Sequence, residues 1–316
     1  MAQTPDGYLW VGSFSGLTRF NGIRFSPDHE VVTPEFRDVM VLELLADPDG
    51  VLWVGTNNGI FRRQGEKWRH YGDDEGVPKG LVAGLARDSH GRLFAMVGQK
   101  LLRHNGDRFE IWLPQPPDAN NQKPWSLLVD ADDQIWLMAD RNLAYFADES
   151  WHSFSPEEWG KGELVVQGFA AAKTGGIWVA DPLRIRRWHD GEWVQTIERP
   201  ADHNQEAVKL HEDQWGNLWM AGYHNGVVVY RNDGTWLECT MADGLLNNAL
   251  LCISGDSEGN IWVGSNGGGL ARIRPRSAKT FDEAVGLEQP VVNAVIETSP
   301  GELLVATHGG GLLPFD

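Results

Sequence analysis

One large apolar position recurs along the whole chain at an almost constant interval. It falls at Trp10, Trp53, Phe94, Trp136, Trp178, Trp219, Trp262 and Leu304, with gaps of 43, 41, 42, 42, 41, 43 and 42 residues. A fixed period of this size marks a repeat architecture, in which each unit buries its apolar surface only against its neighbours. The clearest copies read Pro5-Asp6-Gly7-Tyr8-Leu9-Trp10-Val11-Gly12-Ser13, Pro48-Asp49-Gly50-Val51-Leu52-Trp53-Val54-Gly55-Thr56 and Ser257-Glu258-Gly259-Asn260-Ile261-Trp262-Val263-Gly264-Ser265.

Each unit divides into four short strands. In the second copy an apolar run over 39–46 precedes the turn Pro48-Asp49-Gly50, where glycine supplies a positive φ. A second strand over 52–56 follows. Asn57-Asn58-Gly59 turns the chain into a third strand, and Gln64-Gly65 makes a hairpin into a fourth around Trp68. The hairpin signal returns at Asn21-Gly22, Asn105-Gly106, Asp190-Gly191 and Asp233-Gly234, dipeptides suited to a tight turn with φ > 0 at both positions. Four antiparallel strands in about 42 residues make a propeller blade. No unit carries a helical apolar period, and only Pro156-Glu157-Glu158-Trp159 reads as a helical turn.

The expected fold is therefore all-β: one β-propeller domain over 1–316, built from about eight copies, the first and last incomplete. Seven inner, eight second, eight third and seven outer strands are expected. That count favours seven blades, with eight as the alternative. A blade packs both faces against its neighbours, so the recurring tryptophan supplies a large flat core residue. Two positions later the residue is small at Gly12, Gly55, Ala180, Ala221, Gly264 and Ala306. Met96 and Met138 break that rule, and compensating core volume is the expected reason.

Composition narrows the partners. Lys plus Arg number 27 against 44 Asp plus Glu, a formal charge of −17. Phosphate backbones are held by clustered cations, so no nucleic-acid partner is expected. No apolar run is long enough to span a membrane, so no direct insertion is expected either. Met1 runs straight into repeat sequence without a signal peptide, which reads as a piece of a longer protein. Cys239 and Cys252 fall on an outer strand and on the next inner strand, too far apart to bridge, and are expected to be free buried thiols.

The phrase Asp-x-x-Gly-x-Leu-Trp-Val-Gly-Thr-x-x-Gly-Leu-x-Arg-Phe, carried at 4–20, 47–63 and 256–273, resembles the two-component regulator propeller repeat. Thr4 stands for the leading Asp in the first copy. The Gly-Leu signal before the inner strand appears as Gly244-Leu245-Leu246-Asn247-Asn248, and in degenerate form at Gly76-Val77 and Gly286-Leu287. Copies three to five depart from the pattern at Phe94, Gln134 and Asp181-Pro182. The resemblance implies the periplasmic or extracellular sensor propeller of a hybrid histidine kinase or diguanylate cyclase. The signalling output domain would lie outside this chain. The implied function is a non-catalytic ligand-binding sensor of a bacterial receptor. A protein-interaction scaffold is the alternative, and a streptogramin-lyase-like enzyme a further one, although the Trp-Phe-Thr-Glu of those repeats is missing.

No catalytic, cofactor or metal motif stands out. The ten histidines lack the helical i, i+4 spacing of zinc proteases. The Asp-x-x-Gly turns lack the alternating oxygen ligands of a calcium loop. Asn266-Gly267-Gly268-Gly269 is not followed by the helix that a phosphate site uses. No cofactor is expected. Binding is expected on the face that carries the connections after the second strands, with Asn57, Asn58, Arg141, Arg184, Tyr223, His224 and Asn266 as contacts. Those positions are equivalent in successive copies, yet their side chains differ, which suits a small polar ligand such as a carbohydrate.

If the repeat tryptophans are structural, Trp53→Ala or Trp262→Ala costs about 3–5 kcal/mol in a denaturant melt, the range for large core truncations. A neutral result for either would mean that the second strand is misplaced.

Overall fold

The computed structural model describes residues 1–26, 36, 39–113, 124–139, 142–154, 166–200, 209–274, 291–299 and 302–315. Among them are thirty strands in eight antiparallel sheets, six of four strands and two of three. The sheets cover 2–26, 41–71, 82–113, 124–153, 168–198, 209–239, 250–273 and 292–315, one for each repeat copy. No α-helix occurs among the described residues.

The chain forms two compact units, 1–274 and 275–316. In the first, seven sheets follow one another as blades and the seventh meets the first. The Ser257 amide donates to Gln3 Oε1 at 2.8 Å, and the Phe20 ring lies 5.6 Å from that of Trp262. The second unit holds the three-stranded sheet 292–315.

The strand count agrees with expectation in total but not in distribution. There are eight inner and six outer strands among the described residues, because Ala2–Gln3 pairs with Trp10 and Leu9 as a short inner strand. The helical turn expected at 156–159 lies outside the described residues. Two 3-10 turns appear instead at Asp73–Glu75 and Met241–Asp243. Each runs into the Gly-Leu signal. Gly76 adopts φ 85°, and a Cβ there would lie 1.9 Å from the Phe109 carbonyl oxygen, so only glycine fits. Val77 and Leu245 then plug the core. Both cysteines are free, as expected, but only half-buried.

The repeat motif acts through one side-chain pair. The aspartate opening each turn sends one carboxylate oxygen to the indole N–H six residues on. Trp53 donates to Asp47, Trp136 to Asp130, Trp219 to Asp213 and Trp262 to Asp256, at 2.7–2.9 Å. In the first copy Thr4 Oγ1 accepts the Trp10 indole at 3.0 Å. In Asp130, Asp213 and Asp256 the other carboxylate oxygen holds the turn, whereas Asp47 pairs with Arg87 at 2.8 Å. Asp130 Oδ1 accepts the amides of Asp132 and Gln134, and Asp213 Oδ1 those of Trp215 and Asn217.

Two copies do without this pair. Phe94 has no donor, and Asp88 binds the Arg92 side chain instead. Ala172 offers no carboxylate, so Trp178 donates to Glu212 of the next blade at 3.0 Å.

The small position has an equally local cause. A Cβ on Gly12 would come within 2.3 Å of Val41 Cγ1, on Gly55 within 2.6 Å of Val82 Cγ1, and on Gly264 within 2.6 Å of Cys252 Sγ. Where Met96 breaks the rule, its cross-strand partner is Gly84. A Cβ on Gly84 would lie 2.6 Å from Leu127 Cβ. The volume has moved from the inner to the second strand, which is the compensation the sequence implies.

Truncating Asp130 to Ala leaves the Trp136 indole and two turn amides without their acceptor, a loss of about 2–3 kcal/mol. Burial raises the Asp130 carboxyl above its ordinary 3.8, against the Trp136 hydrogen bond. A raised carboxyl binds its proton more tightly folded than unfolded, so its contribution falls as pH rises from 3.8 through the raised value. The stability gap between wild type and Asp130→Ala is therefore expected to widen on acidification. A gap that narrows in urea melts across this window would contradict it.

Candidate functional site

Within a blade the chain reverses direction at every strand. Connections from second to third strand and from outer to next inner strand therefore share one end. Asn57 shows the two together: its amide donates to the Met40 carbonyl at 3.2 Å and its Oδ1 accepts the Met40 amide at 2.9 Å. Asn57 thus ties the turn to the incoming connection. The Asn58 amide donates to Thr56 Oγ1, and its carbonyl lies 2.7 Å from His70 Nε2. The Asn266 amide donates to the Ala249 carbonyl at 2.8 Å, and Asn247 Nδ2 donates to the Asn266 carbonyl at 2.7 Å. Asn57, Asn58, Tyr223, His224 and Asn266 are all exposed at this end of blades two, six and seven. Arg141 lies outside the described residues.

Arg184 belongs to a charged network. Asp181 is buried, accepts the amides of Leu183 and Arg184 at 2.8 Å, and lies 3.5 Å from Arg184 Nε and 3.4 Å from Arg186 Nη2. Arg199 donates to the Asp181 carbonyl and to Gln167 Oε1, and burial pushes its guanidinium down to about 10. The copy that reads Asp181-Pro182 has spent its turn on an internal ion pair.

The same end of the ring also carries Phe14, Leu81, Leu183, Tyr223 and Leu246, each between 41% and 72% exposed. Of these, Tyr223 is among the contacts expected from the sequence. The others are visible as apolar residues inside connections, a signal that turn chemistry does not require.

A second feature lies at the opposite end, between blades four and five. A cleft of about 140 Å³ is lined by Asp130, Asp132, Gln134, Trp136, Tyr145, Gly176, Trp188, His189, Asp190 and Gly191. Asp132 Oδ2 accepts the Gly176 amide at 2.9 Å and lies 3.3 Å from His189 Nε2. Sequence reasoning missed it. The signal was the fifth copy itself, where Gly176 stands where other copies carry Tyr8, Val51, Arg92, Gln134, Asn217 or Asn260.

Asp88, His90 and Asp133 also approach one another. Asp88 already takes two turn amides and the Arg92 side chain, and Asp133 takes the Ser89 amide and hydroxyl. With a guanidinium on one carboxylate, the group does not fit a cation.

Residues 36–58 and 244–267 match the family model described as two component regulator propeller. Two segments of the chain thus carry the pattern of that repeat. Among solved structures it is similar to the extracellular domain of a putative hybrid two component system from B. thetaiotaomicron. The identity is 19% and the TM-score 0.68, over all of this chain and 45% of that one. It thus spans less than half of that protein's domain. It is also similar to a streptogramin B lyase, at 16% identity and TM-score 0.69 over 85% of this chain and 90% of that one. A virginiamycin B lyase from Staphylococcus aureus gives 15% and 0.67 over 85% and 91%. Identities this low establish the propeller fold alone. No curated protein matches. No described helix is long and apolar enough to cross a membrane.

Proposed function

We propose that the chain is a ligand-binding sensor propeller of a bacterial signal-transduction receptor, and that it binds without catalysing a reaction. The observation that carries this reading is the turn end of the ring. There, large apolar side chains stand exposed beside Asn58, His224 and Asn266. Exposed apolar side chains on connections that a scaffold holds side by side are suited to an interaction surface. Functional side chains concentrate on connections that a rigid scaffold positions.

The ligand is a small polar molecule such as a carbohydrate, stacked on Tyr223 and held by the polar groups around it. The propeller works in the periplasm or outside the cell, as the input of a longer protein whose output domain lies elsewhere. The net charge of −17 argues against a nucleic-acid partner.

Calorimetric screening of mono- and oligosaccharides, followed by Arg141→Ala, Arg184→Ala and Tyr223→Ala, checks the assignment. At least one substitution is expected to weaken binding about tenfold, the loss of one good polar or stacking contact. Unchanged affinity in all three would move the site elsewhere. Conversion of a type B streptogramin by the purified chain would overturn the non-catalytic reading.

A further inference from the structure

The cleft between blades four and five is bounded on one side by a turn of the fifth copy, where Gly176 stands in place of the side chain that other copies carry. The same copy has Ala172 for the turn aspartate, but Ala172 packs with Trp178 and Leu210 on the side of blade six. The backbone turn survives unchanged, with the Ala172 amide donating to the Gly176 carbonyl at 2.9 Å as in the other copies. Gly176 holds φ 69°, and a Cβ there would lie 1.9 Å from the Trp188 carbonyl oxygen. The position is therefore closed to any larger residue. Departures from a repeat consensus without loss of fold are where function is expected to be found.

The walls define the chemistry. Trp136, Tyr145 and Trp188 supply aromatic surface, and Asp130, Asp132 and Asp190 supply three carboxylates. Among the described residues no lysine or arginine lines the cleft. Asp130 is committed to the Trp136 indole and two turn amides. Asp132 holds the Gly176 amide and the His189 ring, and keeps lone pairs to spare. Asp190 is the least engaged: its side chain is 85% exposed, and its contact with His189 Nε2 is 3.8 Å long.

An anion would meet three carboxylates here. Among the described residues, the ligand atoms of Asp132, His189 and Asp190 do not converge as a set that would hold a divalent metal. A whole sugar ring exceeds the space, since an engineered cavity of roughly 150 Å³ holds a benzene-sized molecule.

We propose that this cleft binds a small organic ammonium ion of about six or seven heavy atoms. Its charge lies between Asp132 and Asp190, and its alkyl groups face Trp136 and Trp188. Aromatic faces attract such cations through the ring quadrupole, and carboxylates add charge-assisted contacts. The site is separate from the turn end, so it stands or falls independently of the sensor reading.

The test uses choline and its neutral isostere 3,3-dimethylbutan-1-ol, followed by tryptophan fluorescence and calorimetry on the whole chain. Choline is expected to bind and the alcohol to bind at least about tenfold more weakly, the worth of one charge-assisted contact. Asp190→Asn removes charge from an exposed residue whose positive φ asparagine tolerates, so the variant folds. It is expected to weaken choline about tenfold, and Asp132→Asn to weaken it further. Tyr223→Ala, at the other end of the blades, is expected to leave choline binding unchanged. The proposal is overturned if choline fails to bind at millimolar concentration or if the alcohol binds equally well. It is also overturned if Asp190→Asn has no effect or if calcium or zinc binds there and excludes choline.

Discussion

Everything in the blade turns on a buried carboxylate that accepts an indole N–H. One aspartate oxygen organises the turn between inner and second strands, and the other fixes the tryptophan of the second strand. That tryptophan then reaches the neighbouring blade: the Trp53 ring lies 5.1 Å from His104 and 6.2 Å from Phe109 of blade three. Turn geometry, side-chain orientation and blade-to-blade packing are thus coupled through six residues of sequence. A carboxylate away from water is costly unless its lone pairs are used. At Asp130, Asp213 and Asp256 two amides and an indole use them, so burial enforces the geometry rather than weakening it.

The coupling tolerates loss when something nearby replaces it. Phe94 needs no acceptor, and Asp88 turns to Arg92. Trp178 lost its aspartate and takes Glu212 from the following blade. The same economy governs volume. Glycine lies on the second strand in blades one and two, where the next inner strand presses close, and in blade seven, where Cys252 of its own inner strand does. It lies on the inner strand in blade three, opposite Met96. What is conserved from blade to blade is the space between sheets, not the residue at one position.

The repeat made the fold legible, because a period near 42 residues with glycine turns admits few architectures. The Met96 exception was legible too, as volume that had to be balanced. The distribution of strands was not. Ala2–Gln3 is too short to show a period-two pattern, and only its pairing with Trp10 and Leu9 defines it. The face was legible from strand alternation, but the duties of its residues were not. Asn57 holds the Met40 backbone and Arg184 pairs with Asp181, contacts that depend on the approach of distant segments. The cleft was hidden for the opposite reason. Reading for a consensus treats Gly176 as noise, and its meaning appears only when the neighbouring blade is in place.

Copy-to-copy redundancy makes such a departure affordable. In a repeat protein stability is spread over many similar interfaces, so one junction can lose a buried carboxylate while its neighbours keep theirs. The fifth copy retains its backbone turn and borrows an acceptor from the sixth, and only side-chain volume is given up. Arg187 spans the vacated turn, donating to the carbonyls of Thr174 and Gly175. The glycine pair is thereby held open by hydrogen bonds rather than by packing. A void kept open this way stays wet and reachable, whereas a void between apolar sheets would close or stay dry. The irregular copy is therefore as well determined as the regular ones, and its shape follows from the neighbours that support it.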